Sequence, residues 1–282
     1  MAPEKEDNWS SEAYQHSASF VPKLATKIMQ WLDPQPDDVI LDIGCGDGVL
    51  DLQIGHVLSR GTGSLHGIDS SPAMIAAAEK AAAAAGLGSK CTFDVLDATT
   101  LPQAPTATSP TYTKLFSNAA LHWILRPPAS RVPFFRAAHA ALAPGGLFAF
   151  EMGGLGNVCE VRAAVLAVLA RRVGMARAKE AEPWFFPDEA WVRETMEGTA
   201  GGWVVERVER EWRPTDADGG GVEGWVGLMV GGWVRGVVGE EEERGECLRE
   251  VVEVLEEVCG KPGPKGGWMF SYVRLRVLAR RV

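Results

Sequence analysis

A short glycine-rich segment constrains the fold of this chain more than any other feature. Residues 39–50 read VILDIGCGDGVL, in which an apolar run with one acid leads directly into three closely spaced glycines. The run is too short for a helix, and its β-branched character is typical of a buried parallel strand. The glycines allow a sharp turn and let the backbone approach a ligand closely. The segment therefore predicts a strand, a turn and a helix, with Asp42 and the first helical amides facing one crevice.

The same unit recurs through the first half of the chain. Strands are predicted at 39–43, 64–68, 91–95, 112–117 and 147–151. Helices are predicted at 11–32, 47–58, 71–85 and 131–142. The third of these begins at Ser71-Pro72, a serine cap followed by a proline at the first helical position. Strands that alternate with helices at this spacing indicate a parallel, doubly wound sheet.

The second half departs from this alternation. Helices are predicted at 158–173, 187–198, 222–238 and 241–259, and strands at 203–212 and 268–279. The two long strands suit an antiparallel hairpin at one edge of the sheet, and the helices between them would form a lid over the crevice. The predicted fold class is therefore α/β, a doubly wound, mostly parallel seven-stranded sheet with a helical lid between the last two strands.

These patterns divide the chain into three parts. Residues 1–10 are predicted to be a mobile tail, residues 11–152 a ligand-binding core, and residues 153–282 a C-terminal part that completes the sheet. The lid helices belong to this last part, at about 158–198 and 222–260.

Composition and charge exclude several classes of protein. The 282 residues carry a net charge of −9 without a lysine or arginine stripe, so we expect no nucleic-acid partner. No apolar run is long enough to cross a bilayer and the N-terminus does not resemble a signal peptide, so we expect no membrane partner. Five scattered cysteines without a Cys-x-x-Cys pair indicate reduced thiols in the cytoplasm and no metal site. The expected partner is a small molecule, and the protein is expected to be a monomer or a homodimer.

The spacing of the glycines discriminates between two kinds of ligand. A dinucleotide fingerprint requires Gly-x-Gly-x-x-Gly or Ala, whereas here the third glycine comes one residue early, at Gly48, and Val49 occupies the last position. Asp42 and Asp47 flank the turn, where they would repel a pyrophosphate but not a cationic, amino-acid-like ligand. A nicotinamide-dependent oxidoreductase is thus disfavoured, although it stays as an alternative.

The turn resembles a known cofactor loop. The sequence Asp-Ile-Gly-Cys-Gly-Asp-Gly at 42–48 resembles the S-adenosyl-L-methionine (SAM) loop of class I methyltransferases. The resemblance implies a Rossmann-like SAM-binding core and S-adenosyl-L-homocysteine as the product form of the cofactor. It places Asp42, Gly44, Cys45 and Gly46 against the cofactor.

Further cofactor contacts are expected at the ends of the next two strands. Asp69 ends the second strand, 21 residues after Gly48, and its carboxylate can accept both hydroxyls of a ribose. Ser70, the next residue, is expected to contact the cofactor as well. An acid at this place could instead only cap the helix that begins at Ser71. In the family that the loop resembles, an acid after the third strand lies against the adenine amino group, which here implies Asp97-Ala98. Met74 could pack on the adenine face, although a helical methionine that faces a sheet is often plain core.

The end of the fourth strand is the second informative stretch. Residues 116–123 read FSNAALHW at the carboxyl end of a parallel strand, where ligands bind in open α/β sheets. Asn118, followed by Ala119, is well placed to touch the methionine part of SAM. This stretch and the LAPGG motif that begins at Leu142 resemble the trans-aconitate methyltransferase group. Malonyl-carrier-protein carboxyl methyltransferases and juvenile-hormone-acid methyltransferases are similar here too. The resemblance covers about residues 10–152 and implies carboxylate O-methylation.

His122 is the candidate catalytic residue and a departure from that group, in which most members have glutamine before the tryptophan. It could be a packing or capping residue, a general base for a phenol or an amine, or a donor that positions a carboxylate. A carboxylate has already lost its proton at pH 7, whereas a phenol with a pKa near 10 needs a base. No other base candidate lies near the crevice in sequence, because His16 and His139 belong to the first helix and to an outer helix.

We therefore predict a SAM-dependent methyltransferase that O-methylates the carboxylic acid of a small or apolar metabolite by in-line displacement. A methyltransferase acting on a phenol, an amine or a carbon nucleophile is the alternative. A catalytically inactive partner subunit is disfavoured, because a site that has lost its activity has no physical need for the residues of the cofactor loop.

Trp123 and large side chains of the lid are the candidates for a substrate pocket. The lid residues are Trp184, Trp225, Met229 and Trp233. The last three are spaced four residues apart and share a helical face. They could simply pack on the sheet, or they could line a pocket for the apolar chain of a secondary metabolite.

Overall fold

A seven-stranded sheet forms the centre of the computed structural model, which describes residues 25–104, 111–217, 219–263 and 266–282. The strands are β1 (Val39–Ile43), β2 (Ser64–Asp69), β3 (Cys91–Val95), β4 (Tyr112–Asn118), β5 (Leu142–Gly153), β6 (Trp203–Asp216) and β7 (Met269–Arg281). Their spatial order is β3-β2-β1-β4-β5-β7-β6. β1 to β5 pair in parallel, and β7 runs antiparallel to both β5 and β6. The predicted doubly wound, mostly parallel sheet is confirmed.

Helices connect these strands. They are α1 (Thr26–Leu32), α2 (Val49–Leu58), α3 (Pro72–Ala84), α4 (Leu121–Ile124), α5 (Pro128–Ala141), α6 (Cys159–Val173), α7 (Met175–Glu180), α8 (Glu189–Arg193), α9 (Gly221–Arg235) and α10 (Glu241–Cys259). A 3₁₀-helix covers Ala98–Gln103, and π-helical turns at Glu194–Ala200 continue α8. The Ser71 hydroxyl caps α3 by accepting a hydrogen bond from the Met74 amide at 3.2 Å, as the sequence predicted.

The two faces of the sheet carry separate cores. Neighbouring residues of a strand point to opposite faces. Ile40 accordingly packs with the apolar residues of α1, α2 and α3, whereas Leu41 packs with those of α5. β1 is paired on both sides, with Asp42 opposite Gly67 of β2 and Phe116 of β4. Because parallel strands end at one edge of a sheet, the loops after β1, β2, β3 and β4 meet there.

A third core lies outside the sheet. Helices α6, α7, α9 and α10, which we call the lid, share apolar residues that include Val165, Ala178, Trp233 and Val251. α10 packs against α9 and α6, away from the cofactor loop. The lid is joined to the sheet through β7, because Phe270 and Tyr272 belong to the same cluster.

Several boundaries differ from the sequence prediction. β5 begins at Leu142, five residues early, because Leu142 already pairs with Tyr112 before a register shift between Tyr112 and Lys114. The helix predicted at 187–198 is α8 followed by π-helical turns, and α7 was not predicted. The helix predicted at 11–32 is described only at Thr26–Leu32. The predicted tail at 1–10 lies outside the described residues.

None of the helices of the described residues combines the length and the apolar character that a membrane span requires.

Candidate active site

A cavity of about 210 Å³ lies between the carboxyl edge of the sheet and the lid. All residues predicted to contact a cofactor line it: Asp42, Gly44, Cys45, Gly46, Asp69, Ser70, Met74, Asp97, Ala98, Asn118 and Ala119. His122 and four of the five predicted pocket residues line it as well: Trp123, Trp184, Trp225 and Met229. One continuous cavity thus joins the glycine turn to the aromatic side of the lid.

The glycine turn has two different requirements for glycine. Gly44, Gly46 and Gly48 have φ of 78°, 58° and 76°, in the left-handed region that other residues rarely adopt. A Cβ at Gly44 would lie 2.2 Å from the Cβ of Ala120, so the turn packs too closely on the start of α4 for any side chain. A Cβ at Gly46 would meet nothing within 4 Å. Gly46 therefore leaves the backbone open to the cavity.

Asp69 fixes the turn as well as lining the cavity. Its Oδ2 accepts a hydrogen bond from the Gly46 amide at 3.0 Å, and its Oδ1 accepts one from the Ser71 amide at 2.9 Å. The carboxylate also lines the cavity, where it is an acceptor for hydroxyl groups of a ligand. Asp97 likewise lines the cavity and also stabilises local structure. Its Oδ1 caps the 3₁₀-helix by accepting hydrogen bonds from the Thr99 amide and hydroxyl at 3.0 and 2.7 Å.

A buried pair of acids, Asp42 and Asp51, lies beneath the turn. Asp42 is 3% exposed and Asp51 is fully buried on α2. Burial raises the pKa of both carboxyl groups, that of Asp51 to about 7, and the neighbouring charge of Asp51 raises the pKa of Asp42 further. Within the described residues no hydrogen-bond partner reaches Asp42 Oδ1 or either Asp51 oxygen. The pair therefore shares a proton near neutral pH, as close carboxyl groups do.

The sequence analysis missed Asp51 although the chain carries a signal for it. Its neighbours on the buried face of α2 are Ile54, Gly55 and Leu58, at the i+3, i+4 and i+7 positions. This helical spacing places the acid on the apolar face rather than in solvent.

His122 is held in one orientation by the backbone. Its Nδ1 accepts a hydrogen bond from the Gly153 amide at 3.3 Å, so the ring proton belongs on Nε2 in the neutral form. The Phe185 amide donates to the His122 carbonyl at 2.9 Å. Burial, with the positive charge of Arg274, lowers the pKa of His122 to about 3. At neutral pH His122 is therefore an uncharged donor and a very weak base.

Aromatic side chains form the lid side of the cavity. Trp184 contacts Trp123 edge-to-face with ring centres 5.6 Å apart and stacks on Phe186 at 5.8 Å. The Trp225 indole donates a hydrogen bond to the Tyr272 hydroxyl at 2.8 Å. The hydrogen bond between Trp225 and Tyr272 uses the polar atoms of those two rings, so the rings offer mainly apolar surface to the cavity.

Trp233 corrects one expectation of the sequence analysis, because it does not line the cavity. It is 1% exposed in the core of the lid, and its indole donates to the Ala178 carbonyl at 2.7 Å. Trp233 lies two helical turns beyond Trp225 and contacts Trp184 edge-to-face, with ring centres 5.8 Å apart.

The cavity wall contains residues that the sequence analysis did not identify. Those on the loop after β5, the segment before α8 and β7 are Asn157, Val158, Phe186, Tyr272 and Arg274. Two wall residues have left-handed backbones without being glycine, Ala119 with φ of 60° and Val158 with φ of 42°. Strain of this kind concentrates at functional sites. In the described part of the chain, no group of His, Cys, Asp and Glu side chains could hold a metal ion.

Known proteins share this sequence and architecture. Residues 40–146 match the family model of a methyltransferase domain. An uncharacterized methyltransferase of Schizosaccharomyces pombe is 34% identical over 281 residues, which are 98% of this chain and 99% of that protein. A Bacillus halodurans C-125 structure, described as that of a proposed methyltransferase, is similar with a TM-score of 0.59 and 15% identity, covering 92% of this chain and 98% of that one.

A further solved structure carries ligands. It is geranyl diphosphate C-methyltransferase from Streptomyces coelicolor A3(2), in complex with Mg²⁺, geranyl-S-thiolodiphosphate and S-adenosyl-L-homocysteine. Its TM-score is 0.52 at 14% identity, over 93% of this chain and 76% of that one. At this identity the likeness concerns the fold alone.

Proposed function

Because this chain belongs to the class I SAM-dependent methyltransferases and uses SAM as its cofactor, we propose that it transfers the methyl group to the oxygen of a carboxylic acid. SAM supplies a methyl group bound to a positively charged sulfur, and transfer leaves S-adenosyl-L-homocysteine. Two assignments follow: the residues that hold the cofactor, and the kind of atom that receives the methyl group.

The residues of the β1, β2 and β3 ends fit this cofactor. The acids Asp42, Asp69 and Asp97 line that end of the cavity and suit a cationic ligand with a ribose and an amino group. The amide oxygen of Asn118 is buried without a hydrogen-bond partner among the described residues, so a donor group of the ligand can satisfy it. We assign Asp69 to the ribose hydroxyls, Asp97 to the adenine side, and Asn118 to the amino-acid part.

The low basicity of His122 carries the proposal for the acceptor atom. On the lid side of the cavity, the titratable residues of the described chain are His122, Tyr272 and Arg274. A histidine with a pKa of about 3 cannot take a proton efficiently from a phenol, and a neutral tyrosine or an arginine is no base at pH 7. The nucleophile must therefore arrive without its proton. A carboxylate meets this condition.

A carboxylate needs orientation and a dry environment rather than a base. His122 Nε2 can donate a hydrogen bond to one carboxylate oxygen, because Gly153 already fixes the other ring nitrogen. The aromatic wall excludes water, which raises the reactivity of a weakly solvated anion. Holding the attacking oxygen in line with the methyl group then supplies most of the rate enhancement.

The same cavity supports our proposal that this chain belongs to the carboxylate-methylating group that includes trans-aconitate methyltransferase. We expect its substrate to differ from a small polyacid. The lid side is lined by Trp123, Trp184, Trp225 and Phe186, which favours an apolar acid over a small polyacid. We propose that this acid is a secondary metabolite. The cysteines of the described residues are free thiols, which supports the proposed cytoplasmic location.

Variants of His122 test the proposal. With a carboxylate substrate, His122→Gln keeps a hydrogen-bonding side chain and should retain most activity, whereas His122→Ala should lose about ten- to a hundredfold through poor orientation. The rate at saturating SAM should not vary between pH 6 and 8 in either variant. If both variants are nearly inactive, and the wild-type rate rises with pH through a single ionisation, His122 is a base and the acceptor is a phenol or an amine.

A further inference from the structure

An arginine that no mechanism step has used lies in the wall of the substrate side. Arg274 is on β7, is 2% exposed and lines the cavity. Its Nε is buried and has no hydrogen-bond partner among the described residues. The nearest carboxylate oxygen, Oε1 of Glu151, lies 3.6 Å from that Nε, which is an ionic contact beyond hydrogen-bond distance. A buried guanidinium with an unused donor is costly unless a ligand satisfies it.

The charges around Arg274 do not balance within the protein. Glu151 is closer to two other arginines, 2.5 Å from Arg276 and 3.3 Å from Arg213. Arg276 also pairs with Glu209 and Glu211, and Lys27 binds the same two glutamates. This cluster holds four cations and three carboxylates. Within the described chain, Arg274 is the member of the cluster that lines the cavity.

Arg274 and His122 occupy the same part of the wall. Arg274 is directly opposite Gly153 in the antiparallel register of β5 and β7, and the Gly153 amide donates to His122 Nδ1. The charge of Arg274 acts on the imidazole, since it helps to keep His122 uncharged. The wall thus presents two hydrogen-bond donors next to each other, the positively charged guanidinium of Arg274 and the neutral imidazole N–H of His122.

On the cavity side, aromatic rings line the wall around this pair. The Cζ of Arg274 lies 4.9 Å from the ring centre of Tyr272, and Trp225 contacts the same tyrosine. Trp184 and Phe186 stack nearby. A ligand that matches this wall has one negative end and a flat or extended apolar body.

We propose that Arg274 is the specificity-determining residue that anchors the substrate, and that the substrate is a monocarboxylic acid with an apolar body. This rests on the proposed function. One carboxylate oxygen binds Arg274 while the other attacks the methyl carbon. The new O–CH₃ bond forms as the C–S bond breaks, with its electron pair remaining on sulfur. The negative charge of the acid and the positive charge of the sulfonium both disappear, and no proton moves.

This charge balance decides which kinetic constant depends on Arg274. The guanidinium attracts the full charge of the bound acid, whereas the charge is already shrinking in the transition state. Its attraction therefore strengthens substrate binding more than it lowers the barrier. Loss of Arg274 should raise KM and leave kcat within a few-fold of the wild type. The uncharged ester loses the same attraction, so it should bind more weakly than the acid.

Equilibrium binding to the protein saturated with S-adenosyl-L-homocysteine tests the inference without turnover. The probes are benzoate, 3-phenylpropionate and octanoate, each compared with its neutral primary amide, and citrate as a polyacid. We expect at least one monoacid to bind about 10- to 100-fold more tightly than its amide and more tightly than citrate. Acids that bind no better than their amides overturn the inference, whatever variants do.

Variants then assign the effect to one residue. Arg274→Gln should remove the preference for the acid and raise its KM by about 10- to 100-fold, and Arg274→Lys should restore part of it. SAM affinity, measured separately, should stay within about threefold. Arg213→Gln is the matched control, because Arg213 contacts the same Glu151 and does not line the cavity.

The outcomes separate this inference from the proposed function. If the enzyme forms a methyl ester and Arg274→Gln leaves KM unchanged, the anchor is wrong and carboxylate methylation stands. If acids bind through Arg274 yet the methylated product is not an ester, the anchor stands and the proposed function fails. Should Arg274→Gln not fold, the comparison of acid with amide on the wild type and on Arg274→Lys decides the matter.

Discussion

Replacing Asp51 by asparagine should raise the unfolding free energy of the cofactor-free protein at neutral and alkaline pH. In the wild type, Asp51 and Asp42 are buried together and share a proton. Deprotonating the pair places a second negative charge where no donor group of the described residues compensates it. An asparagine has a similar shape and offers an N–H to the Asp42 carboxylate, so the variant avoids this cost.

The magnitude follows from the change in protonation. Burial raises the pKa of Asp51 from 3.8 to about 7, so the folded protein holds this proton more tightly than the unfolded chain does. The resulting stabilisation is complete below pH 3.8 and is lost as the pH rises to about 7. Each tenfold change in a protonation equilibrium corresponds to about 1.4 kcal/mol, which gives a loss of about 4 kcal/mol over this range. Asp51→Asn should not show that loss.

Urea unfolding at pH 5, 6.5 and 8 measures the difference. We expect Asp51→Asn to be more stable than the wild type by about 4 kcal/mol at pH 8, with a gap that narrows toward pH 5. Glu79→Gln, which removes an exposed acid on the neighbouring helix α3, should show no such trend. A variant that is no more stable than the wild type at pH 8, or a gap independent of pH, would refute the reasoning about the pair.

Three further predictions concern the cofactor end of the cavity. Gly44→Ala should lower the free energy of unfolding by about 2 kcal/mol or more, because its Cβ would lie 2.2 Å from that of Ala120. Gly46→Ala should lower it by only about 1–2 kcal/mol, and its main effect should be weaker SAM binding. Asp69→Asn should weaken SAM binding by about 10- to 100-fold in calorimetry, and saturable NAD binding in competition with SAM would contradict the assignment of the turn. Binding of SAM near pH 6.5 should release protons from the acid pair, visible as a buffer-dependent heat that is smaller in Asp51→Asn.

The sequence predicted the cofactor half of the molecule well, because the signals there are local. A strand, a turn with three glycines and a helix within residues 39–58 determine where Asp42 and Gly46 must lie. The serine cap and proline at Ser71-Pro72 fix the start of α3 in the same way. Since parallel strands share an edge, the ends of β2 and β4 follow without knowledge of side-chain contacts.

The lid half could be predicted only in outline, because its contacts join segments that are far apart in sequence. Trp225 and Trp233 share one helical face, yet only Trp225 reaches the cavity, and the packing of α9 on Ala178 decides this. Arg274 reaches the cavity wall through the pairing of β7 with β5 at Gly153. A strand pattern with alternating arginines gives no indication of which of them faces a ligand.

The chemical nature of the product tests the central claim most directly. The purified protein is incubated with SAM carrying a radiolabelled methyl group and with the monoacid that binds best, and the product is then treated with mild alkali. Carboxylate methylation predicts that the label is released as methanol, and that its rate of incorporation at saturating SAM is the same at pH 6 and pH 8. A labelled product that survives alkali, formed at a rate that rises across this pH range, would contradict the account and indicate a phenol, amine or carbon acceptor.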